Sequence, residues 1–509
     1  MFPIKKSAVA VALVLGSSAS FATTGPSTTT APYLVPTAPG VNVTSILTTG
    51  DSVGGYVMGG IPDGLGAYDN GNGTFTVLMN HEWSNSVGAT HTHNPGATNG
   101  GAYVSKWVIN KSDLSVVSGG DLIQNVATWN GTGYNAPTTG TSFIFNRFCS
   151  SDLPLTTAFY NSTTGNGYNG MIYMNGEESG AEGKAYGTVV ATGTTYVLPH
   201  LGKFSWENSV ASPYAQDKTI VMGTDDSSPG QVYMYVGTKN STGATPVEKA
   251  GLTGGSLYGI QVPGLGATEN RATAFTSGSF SLFNFGDVST TTGASLQANS
   301  VANSVTEFLR PEDGAWDTQS NDKFYFVTTD RVNVAGGQVG RSRLWVLDFA
   351  DIANPELGGN IGMLLDGTEG GQMFDNITVD AATGDILLQE DVGNNALIGN
   401  VWKYSPGTDS LTKILAHDSN RFLSGSPGFL TQDEESSGVI DVTDLFDASG
   451  ASGRYYLMDT QAHFLTGNPE TVEGGQLQLV HVAPVPVPAA VWLFGSALAG
   501  LGVIGRRKA

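Results

Sequence analysis

Apolar residues along the chain gather in short β-branched and aromatic runs, set between clusters of Gly, Asn, Ser, Thr and Pro. Such runs read as strands and such clusters as the turns between them. The clearest runs are Thr74 to Met79, Ala102 to Ile109, Met171 to Met174, Gln231 to Val236, Lys323 to Val327, Leu344 to Phe349, Asp385 to Leu388 and Arg454 to Met458. Roughly twenty are present, typically a hairpin turn apart, and helical periodicity is scarce. This pattern predicts an all-β fold, either a propeller or a pair of sandwiches. No fixed repeat length is visible, so WD40 and kelch arrays are not supported.

The strand ends favour the propeller. Leu78-Met79 runs into Asn80-His81-Glu82, and Tyr173-Met174 into Asn175-Gly176-Glu177-Glu178. Val221-Met222 leads to Thr224-Asp225-Asp226, Leu388 to Gln389-Glu390-Asp391, and Met458 to the segment Asp459 to His463. Any one of these could cap a turn. Five of one form predict strand ends converging on one mouth of a central channel, where their mutual repulsion calls for a cation.

Composition narrows the picture. The 509 residues include 69 Gly, one Cys and only 13% charged side chains, with 44 acids against 23 bases and a net charge of -21. So acidic a chain repels a phosphate backbone, which argues against nucleic acid as a partner. One Cys rules out a disulfide framework.

Both ends carry processing signals. Lys5-Lys6, an apolar run from Ala8 to Gly16 and a small-residue stretch ending at Ala22 describe a Sec-type signal, cleaved after Ala22 by signal peptidase. At the other end, Val485-Pro486-Val487-Pro488 precedes an apolar run from Ala489 to Gly505 and then Arg506-Arg507-Lys508. This arrangement resembles the PEP-CTERM sorting signal, which implies transient insertion of the C-terminal helix in the membrane and processing by an exosortase. The acidic residue of the motif's name is missing here. The expected division is therefore 1–22 as signal, 23–484 as the functional domain and 485–509 as the sorting segment. The protein is expected to be exported, and displayed at the cell surface or in the extracellular matrix, or membrane-anchored if unprocessed.

The ordered series Asn80-His81-Glu82, Cys149, Asn175 to Glu178, Arg310-Pro311-Glu312-Asp313, Asp375 to Asp380 and Gln389-Glu390-Asp391 resembles the PhoX-type alkaline phosphatases. The likeness spans roughly residues 75 to 440 as short motifs between variable loops. It implies a single six-bladed β-propeller with long Gly-rich loops, and a phosphomonoesterase dependent on Ca²⁺ and Fe³⁺. The resemblance assigns metal binding to Glu82, Cys149, Glu177, Glu178, Glu207, Glu312, Asp313, Asp375 and Asp391. It assigns phosphate clamping to Arg310.

The residues themselves leave alternatives open. Hard carboxylates suit Ca²⁺, and an added thiolate suits a transition metal. A lone Cys can equally be a buried hydrophobe, although Arg147 beside Cys149 favours a thiolate. Glu434 and Glu435 read as a solvated acidic turn rather than as ligands, and His91 and His93 as loop histidines. The family's His-Glu pair is Trp206-Glu207 here, and the signal lacks the twin-Arg pair with which PhoX enzymes commonly leave the cell already loaded with iron. A small phosphoester is the expected substrate. The alternative is a non-catalytic, calcium-stabilised propeller of the extracellular matrix; a one-calcium propeller lactonase or esterase fits less well, because it needs no thiolate.

Overall fold

A computed structural model describes residues 19–271, 274–330 and 341–484. Residues 1–18 of the expected signal and the expected sorting segment, 485–509, lie outside the described residues. Among the described residues no helix is long and apolar enough to cross a membrane.

Six antiparallel blades stand around one axis, as the resemblance implied. Their innermost strands are Pro62–Asp69, Phe148–Asp152, Trp206–Ala211, Pro311–Trp316, Phe374–Val379 and Glu434–Asp441. Each packs against the next and the sixth against the first, which closes the ring. Blades three and four share a 10-stranded sheet through the pairing of Ser277–Gly286 with Gly359–Leu365. Blade-on-blade stacking covers both faces of a strand, so the second strand of blade three, Lys218–Asp225, is buried at seven consecutive positions.

The chain's beginning completes its last two blades. Val41–Thr48 lies antiparallel to Glu473–Val482 in blade six, and Leu34–Pro36 pairs with Ser410–His417 at the edge of blade five. Phe21–Thr24 adds a parallel edge strand to blade six.

One irregularity recurs in every blade. The inner strand slips register against its neighbour between Pro62 and Leu65, Phe148 and Ser151, Trp206 and Ser209, Pro311 and Gly314, Phe374 and Ile377, and Ser436 and Val439. Each slip lifts two residues out of the ladder, as β-bulges do where a strand must re-aim its side chains. The twelve residues are Asp63-Gly64, Cys149-Ser150, Glu207-Asn208, Glu312-Asp313, Asp375-Asn376 and Ser437-Gly438. In four blades the residue just before the inner strand adopts a left-handed backbone: Ile61 (φ 49°), Arg147 (47°), Arg310 (58°) and Met373 (48°). Four non-glycine residues in that region at one equivalent position mark strain stored around the channel entrance. The blades meet closely there. A Cβ on Gly64 would lie 2.4 Å from the backbone nitrogen of Ser151 in the next blade.

Candidate metal centre

The bulges turn their first residues toward one end of the channel. Three overlapping groups of side chains result, with ligand atoms in each group within 4.8 Å of one another: Asp63, Glu82 and Cys149; Cys149, Glu178 and Glu207; Glu207, Glu312 and Asp375. Cys149 joins the first group to the second, and Glu207 the second to the third. Asp63, Cys149, Glu207, Glu312 and Asp375 come from bulges, while Glu82 and Glu178 stand just beyond the ends of second strands. Residues from the first to the fifth blade thus form one chain of donors across the mouth.

Polar neighbours hold these groups in place. Gln461 Nε2 donates to Asp63 Oδ2 and to Glu82 Oε2, at 2.9 Å each. Ser150 Oγ donates to Glu207 Oε1 at 2.7 Å. Arg147 spans Glu82 and Glu178. Arg310 makes a fork with Asp226 at 2.9 and 3.0 Å and reaches Glu312 Oε1 at 2.7 Å. The two arginines occupy the same position in blades two and four, on either side of Glu207.

Charge is badly balanced in this space. Burial, and then the nearby charges of Glu82 and Glu207, push Asp63 well above the usual carboxylate range. Burial does the same to Glu312 and Asp375, with Arg310 pulling Glu312 back only in part. Glu207 is pushed up to about 8, chiefly by burial. Asp459, from the second strand of blade six, is fully buried, and neither carboxylate oxygen has a hydrogen-bond partner among the described residues. Glu435 is the exception: burial opposes its ionisation, but His463, and then Ser437, hold it below its usual value. His463, itself pushed up to about 11 against the effect of burial by Glu435 and Glu473, is the third cation of the mouth. Facing each other without a cation, these carboxyls favour their neutral forms; a bound cation reverses that preference.

A pH prediction follows. Glu207 (about 8), with Asp152 and Asp313 (both about 7, mainly through burial), binds its proton more tightly folded than unfolded. Folding therefore takes up protons between about pH 4 and 8, and raising the pH through that window lowers stability by on the order of 1 kcal/mol per group per unit. In chelator, the urea midpoint should be higher at pH 5.5 than at pH 8. A midpoint that rises with pH would show these acids to be solvated.

The structure brings Glu82, Cys149, Glu178, Glu207, Glu312 and Asp375 together. It does not bring in the other expected ligands. Glu177 points away from the channel and takes Lys184 Nζ at 3.1 Å, because neighbours on a strand face opposite ways. Asp313 turns down the channel, accepting from Asn208 Nδ2 at 2.6 Å and from the Ile377 backbone at 3.2 Å. Asp391 stands beside the groups, its backbone bridged to Glu435. Arg310 is at the mouth, engaged with carboxylates. The reading of Cys149 needs a further correction. Burial and then the charge of Asp63 push its thiol well above the usual range, since Arg147 is committed to Glu82 and Glu178.

Two other expectations are overturned. Glu434 and Glu435 form the start of the sixth inner strand, with Glu434 fully buried, rather than a solvated turn. His91 and His93 are buried in a short strand, His91–Asn94, rather than in a loop. Asp226 and Asp459 lie at the mouth, as their strand-end clusters implied, although neither was assigned a role there, and Asp63 was missed. A signal for part of this was present: Pro62-Asp63-Gly64, Phe148-Cys149-Ser150, Trp206-Glu207-Asn208, Pro311-Glu312-Asp313 and Phe374-Asp375-Asn376 all place a ligand-type residue between a Pro or aromatic residue and a small one, Gly or polar.

The fold and the mouth together define a class: a six-bladed propeller whose channel entrance gathers metal-ligand side chains from successive blades. Among solved structures the chain is similar to Pseudomonas fluorescens PhoX in complex with vanadate, a transition state analogue. The TM-score is 0.61 at 11% identity, covering 92% of this chain and 98% of that one. An α-L-arabinofuranosidase from Fusarium graminearum is a looser likeness, with a TM-score of 0.38 and 9% identity over 83% of this chain and 93% of that one. No family model matches the chain, and no curated protein matches it in sequence. The chain has a PhoX-like β-propeller fold.

Proposed function

We propose that this protein is an exported, metal-dependent phosphomonoesterase of the PhoX type. The observation that carries the reading is the run of three donor groups linked through Cys149 and Glu207 and flanked by Arg147 and Arg310. Its donor chemistry grades across the mouth. Two groups contain the thiol and suit a transition metal such as iron, while Glu207, Glu312 and Asp375 offer only oxygen and suit Ca²⁺.

Bound there, cations would polarise phosphoryl oxygens and supply an oxygen nucleophile at neutral pH. The chain's own part is positioning. With Glu82, Glu178 and Glu312 committed to cations, Arg147 and Arg310 have N–H donors free for the oxygens of a phosphate monoester. Ser150 holds Glu207, and Gln461 ties Asp63 to Glu82, so the donor set keeps its shape as charge moves through the site. An anionic substrate reaches so acidic a protein only where cations and guanidinium groups invert the local field.

Purified without chelator, the protein should carry calcium, and it should hydrolyse p-nitrophenyl phosphate at neutral to alkaline pH, stimulated by Ca²⁺. Arg310→Ala should raise KM about tenfold or more with a smaller change in kcat, as loss of a charge-assisted fork implies. It should also destabilise the metal-free form, because Asp226 and Glu312 lose their counter-ion. No turnover by calcium- and iron-loaded protein, together with unchanged phosphate binding by Arg310→Ala, would leave the non-catalytic propeller as the correct reading.

Export through Sec and exosortase processing belong to the same proposal, on the strength of the two terminal sequence signals. Cleavage after Ala22 cuts the edge strand Phe21–Thr24 in half, and all four of its residues are exposed. Mass spectrometry of the protein recovered from the cell surface tests both cleavages.

A further inference from the structure

We propose that His463 is the general acid of the mouth, giving its Nε2 proton to the leaving oxygen of the substrate. This rests on the phosphomonoesterase reading and adds a catalytic residue to it. Asp459, Gln461 and His463 alternate along the second strand of blade six and so share one face. Gln461 on that face already reaches Asp63 and Glu82. His463 stands two residues nearer the end of the strand, with 28% of its side chain exposed.

The ring is held by one nitrogen and open at the other. Nδ1 lies 2.6 Å from Glu473 Oε2, on the neighbouring strand. Nε2 makes no hydrogen bond among the described residues, since Glu435 Oε2, at 3.9 Å, is too far. Glu435 is itself steadied through its other oxygen, which accepts from Ser437 Oγ at 2.5 Å. It faces Asp375, so Nε2 is one carboxylate away from the third donor group. The charged groups that face the ring are Glu435 on the inner strand, Glu473 on the outer strand, Asp433 between blades five and six, and Asp391 from blade five. Burial opposes a charged imidazole, but Glu435 and Glu473 outweigh it and hold the ring protonated up to about 11.

Three cations thus stand around the mouth two blades apart: Arg147 before the inner strand of blade two, Arg310 before that of blade four, and His463 on blade six. Arginine binds phosphoryl oxygens well but keeps its protons. His463 alone of the three can give one up. In the hydrolysis a water-derived oxygen bonds to phosphorus. The bond from phosphorus to the leaving oxygen breaks, and its electron pair stays on that oxygen. The Nε2 proton joins it, so an alcohol leaves instead of an alkoxide, and the partly exposed ring takes back a proton from water. Nothing is oxidised or reduced. Such a transfer is worth about a hundredfold or more when the leaving group is a poor one.

Leaving-group dependence tests this, because p-nitrophenolate departs with little help and an alkoxide does not. His463→Gln in the full, metal-loaded chain should lower kcat on ethyl phosphate about a hundredfold, and on p-nitrophenyl phosphate by less than about tenfold. Glu473→Gln keeps an acceptor for Nδ1 and removes the charge. It should move the alkaline limb of kcat/KM on ethyl phosphate about one pH unit lower. Equal losses on both esters in His463→Gln, or an alkaline limb that stays in place in Glu473→Gln, overturn the proposal and leave the phosphomonoesterase reading intact. Should the melting temperature show that His463→Gln does not fold, the Glu473→Gln profile decides alone. Wild-type protein that hydrolyses neither ester overturns both.

Discussion

Glu207→Gln is expected to lose the proposed hydrolysis by about a thousandfold, and its metal with it, while making the metal-free protein more stable. The two effects have opposite signs for one reason. Glu207 belongs to two of the three donor groups, so its charge is needed wherever a cation is held on either side of it. Losing a shared ligand disturbs both sites, and loss of metal-borne electrostatic stabilisation is worth several powers of ten in rate. Without a cation the same carboxylate is a liability. It is 1% exposed and faces Asp226 and Asp313, and burial pushes it up to about 8. Glutamine keeps the shape and the contact from Ser150 Oγ 2.7 Å away, but carries no charge to desolvate. Urea melts in chelator should show a midpoint at or above wild type, and melts in Ca²⁺ a midpoint below it. A variant less stable than wild type in both conditions would make Glu207 a structural residue rather than a ligand.

Chelation should have the second large effect. A cation bound only by the folded chain adds about 4 kcal/mol per site at a thousandfold excess over its Kd. Removing it also restores the repulsion among Asp63, Glu312 and Asp375, each pushed well above its usual value by burial and then by its neighbours. The melting temperature is therefore expected to fall by several degrees in chelator and to recover with added Ca²⁺. Identical melts with and without chelator would contradict any cation at the mouth.

The strands and most of the acids were legible in the sequence because alternation and strand-end placement are local. Register is not local. Glu177-Glu178, Glu312-Asp313 and Glu434-Glu435 are each adjacent pairs on or at the end of a strand, and a shift of one residue exchanges which member faces the channel. For Glu312-Asp313 the bulge in the inner strand decides that question, and it is set by pairing with the next strand rather than by the pair itself. The arginines show the same limit. Arg147 adjoins Cys149 closely enough in sequence to suggest a thiolate partner, yet its left-handed backbone carries the guanidinium to Glu82 and Glu178 instead. The mouth's fourfold repetition of that backbone, at Ile61, Arg147, Arg310 and Met373, escaped notice because the loops between blades differ in length.

The sixth blade has a consequence for the order of events in synthesis. Its inner three strands come from the last part of the described chain, and its fourth, Val41–Thr48, is among the first segments made. That early segment must wait, unpaired along its main edge, until residue 482 has emerged, so the ring cannot shut on a partial chain. Asp459, Gln461 and Glu435 arrive with that final blade, and Gln461 is what clasps Asp63 to Glu82. That clasp is in place only once the sixth blade has closed on Val41–Thr48. A product lacking the last blade therefore exposes an open, repulsive crescent of acids in which Asp63 and Glu82 have no clasp.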